Sequence, residues 1–356
     1  MTYLFVPGPV DVDAQVLAAQ AQAMLPHRSK EFEAIFQRAS QKACQLFYTT
    51  QRVFITASSG SGLQEAAARN LAREHVLSCV NGAFGKRWYT VALANGKRAD
   101  LLETEWNQPI DPGQVAEALR KKHYEIVTLV HNETSTGVQN PVPEIAAAVR
   151  ATSPDTLICV DAVSSLGGVK IETEVWGLDM LLTSSQKCLA LPPGLGLAAV
   201  SDRALEYAAQ VPNRGWYFDL LLLEKHRLKD STPATPALSL IYALDLQLNR
   251  ILAEGLENRF ARHSAMAARV QGWAESRQLG VYAPMGYRSQ TVTAVDNHLG
   301  LSVSDINQFL MLKGMRIANG YGPLKDITFR IAHMGETRPE DVEKLLAALD
   351  EFIARR

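Results

Sequence analysis

Lys187 and Asp161 are placed where a simple fold would have little use for a charge. Lys187 closes Thr183-Ser184-Ser185-Gln186-Lys187, directly after the apolar residues 180–182. Burial at a strand end disfavours an ammonium ion, and the lowered pKa yields the free amine that attacks a carbonyl to form a Schiff base. Asp161 follows the apolar run 157–160, where a lone carboxylate is costly unless it meets a protonated partner; a helix cap is the plainer alternative. Ser58-Ser59-Gly60-Ser61-Gly62 runs into helical spacing and would offer free N–H groups and a positive dipole end to one phosphate. It matches neither the GxGxxG fingerprint nor a GKS/GKT loop. Asn81-Gly82-Ala83-Phe84-Gly85 sets a ring at a helix start, either to stack on a flat ligand or to fill core. His131-Asn132-Glu133-Thr134-Ser135-Thr136-Gly137 holds more hydrogen-bonding side chains than a turn needs. One ligand answers all of these features: flat, with one phosphate, a ring nitrogen for Asp161, a phenolic oxygen for Thr134 and a carbonyl for Lys187. Pyridoxal 5′-phosphate fits, and a carboxylate that keeps its ring nitrogen protonated makes the ring an electron sink.

These residues need elements that bring them side by side. The spacing predicts strands at 53–55, 76–80, 100–103, 126–130, 157–160 and just before Lys187, alternating with helices at 61–72, 85–94, 112–121 and 143–150. That alternation indicates an α/β fold with a mainly parallel sheet covered on both faces, which binds ligands beyond the carboxyl ends of its strands. Residues 12–47 have helical apolar spacing (Val16, Leu17, Met24, Phe32, Ile35, Phe36, Ala43, Leu46, Phe47), broken at Pro26-His27-Arg28. The arm before them, with Pro7-Gly8-Pro9, cannot be helix or central strand and must lie on something. A last helix is signalled by a capping box from Thr337 to Glu340, with Pro339 in the first turn and Val342, Leu345, Leu346, Leu349 and Phe352 behind it.

Composition narrows the partners. With 36 Lys+Arg against 37 Asp+Glu and no run of like charge, nothing suggests a nucleic-acid or membrane surface, so small molecules and other subunits are expected. At 356 residues and 47% hydrophobic, the chain can bury a large core, arranged as a large and a smaller domain. No apolar stretch reaches membrane-spanning length and the first residues do not read as a secretion signal, which suggests a soluble cytoplasmic protein. Cys44, Cys79, Cys159 and Cys188 lack metal-ligand spacing, so no metal site and no disulfide framework is expected.

The motifs resemble those of the class V, fold-type I aminotransferases, and most of all the alanine–glyoxylate/serine–pyruvate group. The resemblance spans VPGPV at 6–10, HRSKEF at 27–32, SSGSGLQEA at 58–66, NGAFGKRW at 81–88, HNETSTG at 131–137, VDAVSSLGG at 160–168, SSQKCLALPPGLG at 184–196, TPATPALSLIYAL at 232–244 and FRIAHMG at 329–335. It implies a seven-stranded sheet in a large domain, 16–250, a small α+β domain, 251–356, and an arm, 1–15, on the small domain or on a partner subunit. It implies a homodimer with shared sites, in which Lys187 is the Schiff-base lysine and proton shuttle, Asp161 holds the ring nitrogen, Thr134 the phenolic oxygen, and Phe84 stacks on the ring. Ser61, Gly62 and Gln186 would bind phosphate with Thr235 of a second subunit, Leu63 and Ser164 would complete the cofactor set, and Arg330 would take the substrate α-carboxylate, with Gly8, His27 and Arg28 beside the substrate. The activity implied is transfer of an amino group from alanine or serine to glyoxylate or pyruvate. Leu63, Thr232 and Ala234 depart from residues common in the group and leave the preferred amino acid open. Phosphoserine, aminoethylphosphonate and ureidoglycine transaminases are alternatives, the first because His27-Arg28 could meet a substrate phosphate. A cysteine desulfurase is disfavoured, since Gln186 precedes the lysine, Phe84 takes the stacking place and no cysteine follows Cys188. A non-catalytic subunit is disfavoured because every catalytic position holds a competent residue.

Overall fold

The positioning frame consists of two sheets. In a computed structural model, which describes residues 3–355, the larger has seven strands in the order Val53–Ala57, Leu195–Val200, Met180–Ser184, Leu157–Asp161, Ile126–Val130, His75–Val80 and Arg98–Glu103. Neighbouring strands run parallel except Leu195–Val200, which is antiparallel to both of its neighbours. Side chains alternate between the two faces: Val127, Leu129, Ile158, Val160 and Leu181 enter one apolar core, and Ile126, Val130, Leu157, Cys159, Met180 and Leu182 enter the other. Each such buried side chain stabilises the fold by roughly 1.5–3 kcal/mol relative to exposure. With both faces covered by helices, the strands read as continuous apolar runs.

The helices begin where side chains can satisfy free N–H groups. Ser29 caps Lys30–Leu46, and Asp111 caps Pro112–Lys121 with proline at the start. The last helix starts differently from the expected capping box: it spans Pro339–Ala354, Thr337 Oγ1 donates to the Met334 carbonyl, and the Asp341 carboxylate accepts from Arg338 N. Proline favours the first helical position, which makes Arg338 the cap residue and moves the frame one residue beyond Thr337. The early helical region is also shorter than its apolar spacing suggests, with helix only at Ala14–Ala19 and Lys30–Leu46, so Leu17 and Met24 are exposed. The strand Leu195–Val200, which directly follows Pro192-Pro193-Gly194, is an addition to the strands expected from the sequence.

The second sheet has the order Tyr3–Phe5, Met315–Asn319, Thr328–Ala332, Val292–Asp296, Gly280–Val281, and its own apolar core includes Phe5, Trp273, Phe329 and Leu345. The N-terminal strand pairs in parallel with Met315–Asn319, so the arm after it crosses from this sheet towards the larger one. No helix among the described residues is long and apolar enough to cross a membrane, and no group of potential metal ligands occurs among them. Cys79, Cys159 and Cys188 are buried thiols, and Cys44 is partly exposed.

Candidate active site

A cavity of about 220 Å³ opens beyond the carboxyl ends of the parallel strands. Its walls come from the turns that follow them: Ser59, Gly60, Ser61 and Gln64; Phe84 and Arg87; Asn132 and Thr134; Asp161 and Val163; Ser184, Gln186 and Lys187. Six of the residues singled out in the sequence therefore meet at one place: Ser61, Phe84, Thr134, Asp161, Gln186 and Lys187.

Lys187 Nζ reaches the Pro7 carbonyl of the crossing arm, and Val10 N donates to the Gln186 carbonyl at 3.2 Å. Gly8, at φ +92°, lies so close that an added Cβ would stand 2.5 Å from Lys187 Cδ. Burial, and next the Arg330 guanidinium, lower the Lys187 pKa to about 8. Arg330 sits on the strand Thr328–Ala332, donates to the carbonyls of Asn319 (3.0 Å) and Thr134 (3.3 Å), and lies over the Tyr321 ring at 5.4 Å. Burial lowers its pKa to about 10. Among the described residues neither cation has a carboxylate partner, so an anionic ligand would relieve both.

Asp161 is the last residue of its strand and is buried, which raises its pKa. Val163 N donates to Oδ1 at 2.8 Å and Gln64 Nε2 to Oδ2 at 2.7 Å, opposing that rise and fixing the Gln64 amide orientation. Thr134 Oγ1 donates to Ser164 Oγ at 2.8 Å, and Ser164 in turn donates to the Asn132 carbonyl. Glu133, fully buried, accepts from Phe84 N and Gly85 N and from Ser135, holding the first turn of the helix Ala83–Ala94 that carries Phe84. A buried anion at a helix N-terminus is favoured by the dipole and by free donors.

Other candidates lie elsewhere. Leu63 is packed in the core, and Ser164 stands behind Thr134 instead of lining the cavity. Gly62 adjoins the wall, where a Cβ would meet Ser58 Oγ at 2.3 Å. His27 and Arg28 occupy the turn before Lys30–Leu46, away from the lining residues. Thr235 is exposed beside a separate groove with Ala57 and Tyr217. The sequence marks Asn132 and Glu133 only as members of a crowded polar turn, and it assigns no role to them or to Gln64 and Arg87. Spacing could have found two of them, since Gln64 lies three residues after Ser61 and Arg87 three after Phe84, on the same helix faces.

The chemistry of the walls fits pyridoxal phosphate. Gln64, Asn132, Ser184 and Gln186 line the cavity, and each has a buried side-chain oxygen, Oε1, Oδ1, Oγ and Oε1 respectively, that lacks a hydrogen-bond partner within the protein. Buried polar atoms of this kind ordinarily find partners, and together with an amine, a carboxylate and a ring they match a polar aromatic aldehyde with an anionic tail.

Comparison with known proteins agrees. The family model described as Aminotransferase class-V matches residues 10–336. An uncharacterized aminotransferase of Methanocaldococcus jannaschii is 36% identical, over 98% of this chain and 91% of its own. Among solved structures, an aspartate aminotransferase of Thermus thermophilus is 32% identical, covering 99% of both chains with a TM-score of 0.92. An alanine–glyoxylate aminotransferase of Nostoc is 29% identical, over 99% of this chain and 95% of that one, with a TM-score of 0.93. With its fold and nearly its whole length in common with them, this chain belongs to the class-V aminotransferase family and is an aminotransferase.

Proposed function

We propose that the chain is a pyridoxal-phosphate-dependent transaminase that moves an amino group from a small amino acid, alanine or serine, to glyoxylate or pyruvate, in two half-reactions at one site. The observation that carries it is the unpaired Lys187 amine in one small cavity with the Asp161 carboxylate, with the unpaired Arg330 guanidinium close enough to depress the lysine's pKa. Lys187 would hold the cofactor's carbonyl carbon through its amine and would take and return, at Nζ, the proton of the substrate α-carbon. Asp161 would hold the ring nitrogen and keep it protonated, with Gln64 and Val163 N fixing the carboxylate. Phe84 would support the ring, Thr134 would hold the phenolic oxygen, and Ser61, Gly62 and Gln186 would hold the phosphate. When bound, the cofactor supplies an electron sink for the charge developing at the α-carbon. Arg330 clamps the α-carboxylate of amino and keto acid alike, its planar fork suiting bidentate contact.

A homodimer follows from the same reading. Thr235 is exposed, lines a groove with Ala57 and Tyr217 and not the cavity itself, and Trp216 and Tyr217 are also exposed, as expected if this face meets a second subunit and Thr235 serves that subunit's phosphate.

The purified protein should be yellow, and borohydride should fix the cofactor on Lys187. Lys187→Ala should bind pyridoxal phosphate without the covalent link and lose transamination. Substantial turnover in that variant would refute the role of the lysine. A panel of amino donors read by single half-reaction absorbance identifies the substrate, and a fast reaction with phosphoserine would replace alanine and serine in this proposal.

A further inference from the structure

Arg87 is a cation without an anion. It lies on the helix Ala83–Ala94, one turn after Phe84, and lines the same cavity. Its guanidinium carbon stands 4.7 Å from the Phe84 ring centroid, and Nη1 donates to Ser61 Oγ at 3.1 Å. Among the described residues no carboxylate pairs with it. Ser61 belongs to the first turn of the helix Gly60–Leu71, so a full positive charge and the positive end of a helix converge on the same space. That arrangement costs free energy unless an anion sits between them. Asp161 does not fill the role: the Arg87 charge opposes the rise of its pKa, but no ion pair joins the two, and Gln64 and Val163 N hold the carboxylate. Ser184, another residue of the cavity wall, is fully buried and its Oγ has no hydrogen-bond partner within the protein.

We propose that Arg87 binds the phosphate of the cofactor, closing the cradle begun by Ser61 and locking the Phe84 ring to the same anion. This inference rests on the transaminase reading above. The α-carboxylate of a substrate belongs at Arg330, on the other sheet, which leaves the phosphate as the anion for the Ser61 side. A guanidinium fork matches phosphate geometry in two parallel hydrogen bonds while its flat face stays on Phe84.

The test compares uptake of pyridoxal phosphate and of pyridoxal, which lacks the phosphate, by cofactor-stripped wild type, Arg87→Met and Arg87→Lys, read by visible absorbance and protein fluorescence at equilibrium. Arg87→Met should weaken pyridoxal phosphate by at least about tenfold, the scale of a lost hydrogen bond to a charged group, while pyridoxal changes by less than about twofold. Arg87→Lys, which keeps the charge, should fall between and shows the effect even if the methionine variant folds poorly. Equal losses for both compounds would overturn the proposal and leave Arg87 only a support for Phe84. Unchanged pyridoxal phosphate affinity with a selective loss of aspartate or glutamate turnover would overturn it in favour of a substrate side-chain carboxylate. If wild type takes up neither compound, the transaminase reading itself fails.

Discussion

Burial and Arg330 together hold the charge of Lys187 in check, and this sets a pH dependence. The Lys187 pKa is lowered to about 8, first by burial and then by Arg330. Only the uncharged amine attacks a carbonyl, so capture of pyridoxal phosphate by the stripped protein should speed up as pH rises through about 8 and level off above it. The same shift makes the buried ammonium a cost to folding at pH below about 8, a cost that fades as pH climbs from there towards the ordinary lysine value. Replacing Arg330 by Met removes a neighbouring cation, favours the ammonium form and should move the capture midpoint upward. Rapid-mixing absorbance across pH measures this, and a wild-type midpoint near the ordinary lysine pKa would contradict it. In that variant, binding of alanine and of pyruvate should weaken together by about 2–5 kcal/mol, the scale for truncating one partner of a buried charge pair. Loss with only one of them would mean that the two half-reactions use different carboxylate sites.

At the scale of elements, the site depends on an arm and on the turns that follow strands. Gly8 tolerates its φ of +92° because it has no Cβ, and Lys187 occupies the space where one would stand. Gly8→Ala should cost about 1–3 kcal/mol by denaturant unfolding and slow cofactor capture, since either the arm or the lysine must move. Much of this frame could be read from the chain, because buried parallel strands are plain apolar runs and the turns after them carry unusual polar residues such as Asp161 and Thr134. The strand Leu195–Val200 could not: its apolar residues follow two prolines and a glycine, and only pairing with Val53–Ala57 and Met180–Ser184 makes it a strand. Glu133 was recognisable as an unusual polar residue but not as a helix anchor, because its partners are backbone N–H groups some 50 residues earlier, which no local pattern encodes. Ser164 resembled a ligand residue because it sits in a motif, yet three-dimensional packing sets its hydroxyl behind Thr134.

Across the whole molecule, Arg259 fastens the region of the second sheet to the lysine turn. This fully buried guanidinium donates to the carbonyls of Gly167, Cys188 and Gly335 and pairs with Glu254 and Glu336. Cys188 adjoins Lys187 in the chain, and Gly335 follows the strand of Arg330, so one side chain sets the separation of the two reactive cations. Arg259→Met leaves Glu336 and three carbonyls short of donors and should destabilise by about 3–5 kcal/mol in a thermal or urea melt. A change under about 1 kcal/mol would show that the network is not a fastening. The arm adds a consequence in time. Tyr3–Phe5 has its pairing edge on Met315–Asn319, and the residues just after it close over Lys187. During synthesis Tyr3–Phe5 must therefore wait, without its strand partner, until Met315–Asn319 has left the ribosome. The pocket is finished by an early part of the chain meeting a late one, so fragments released before that strand is made should carry the lysine and most of the cavity wall, yet lack the closure that sets the lysine in place.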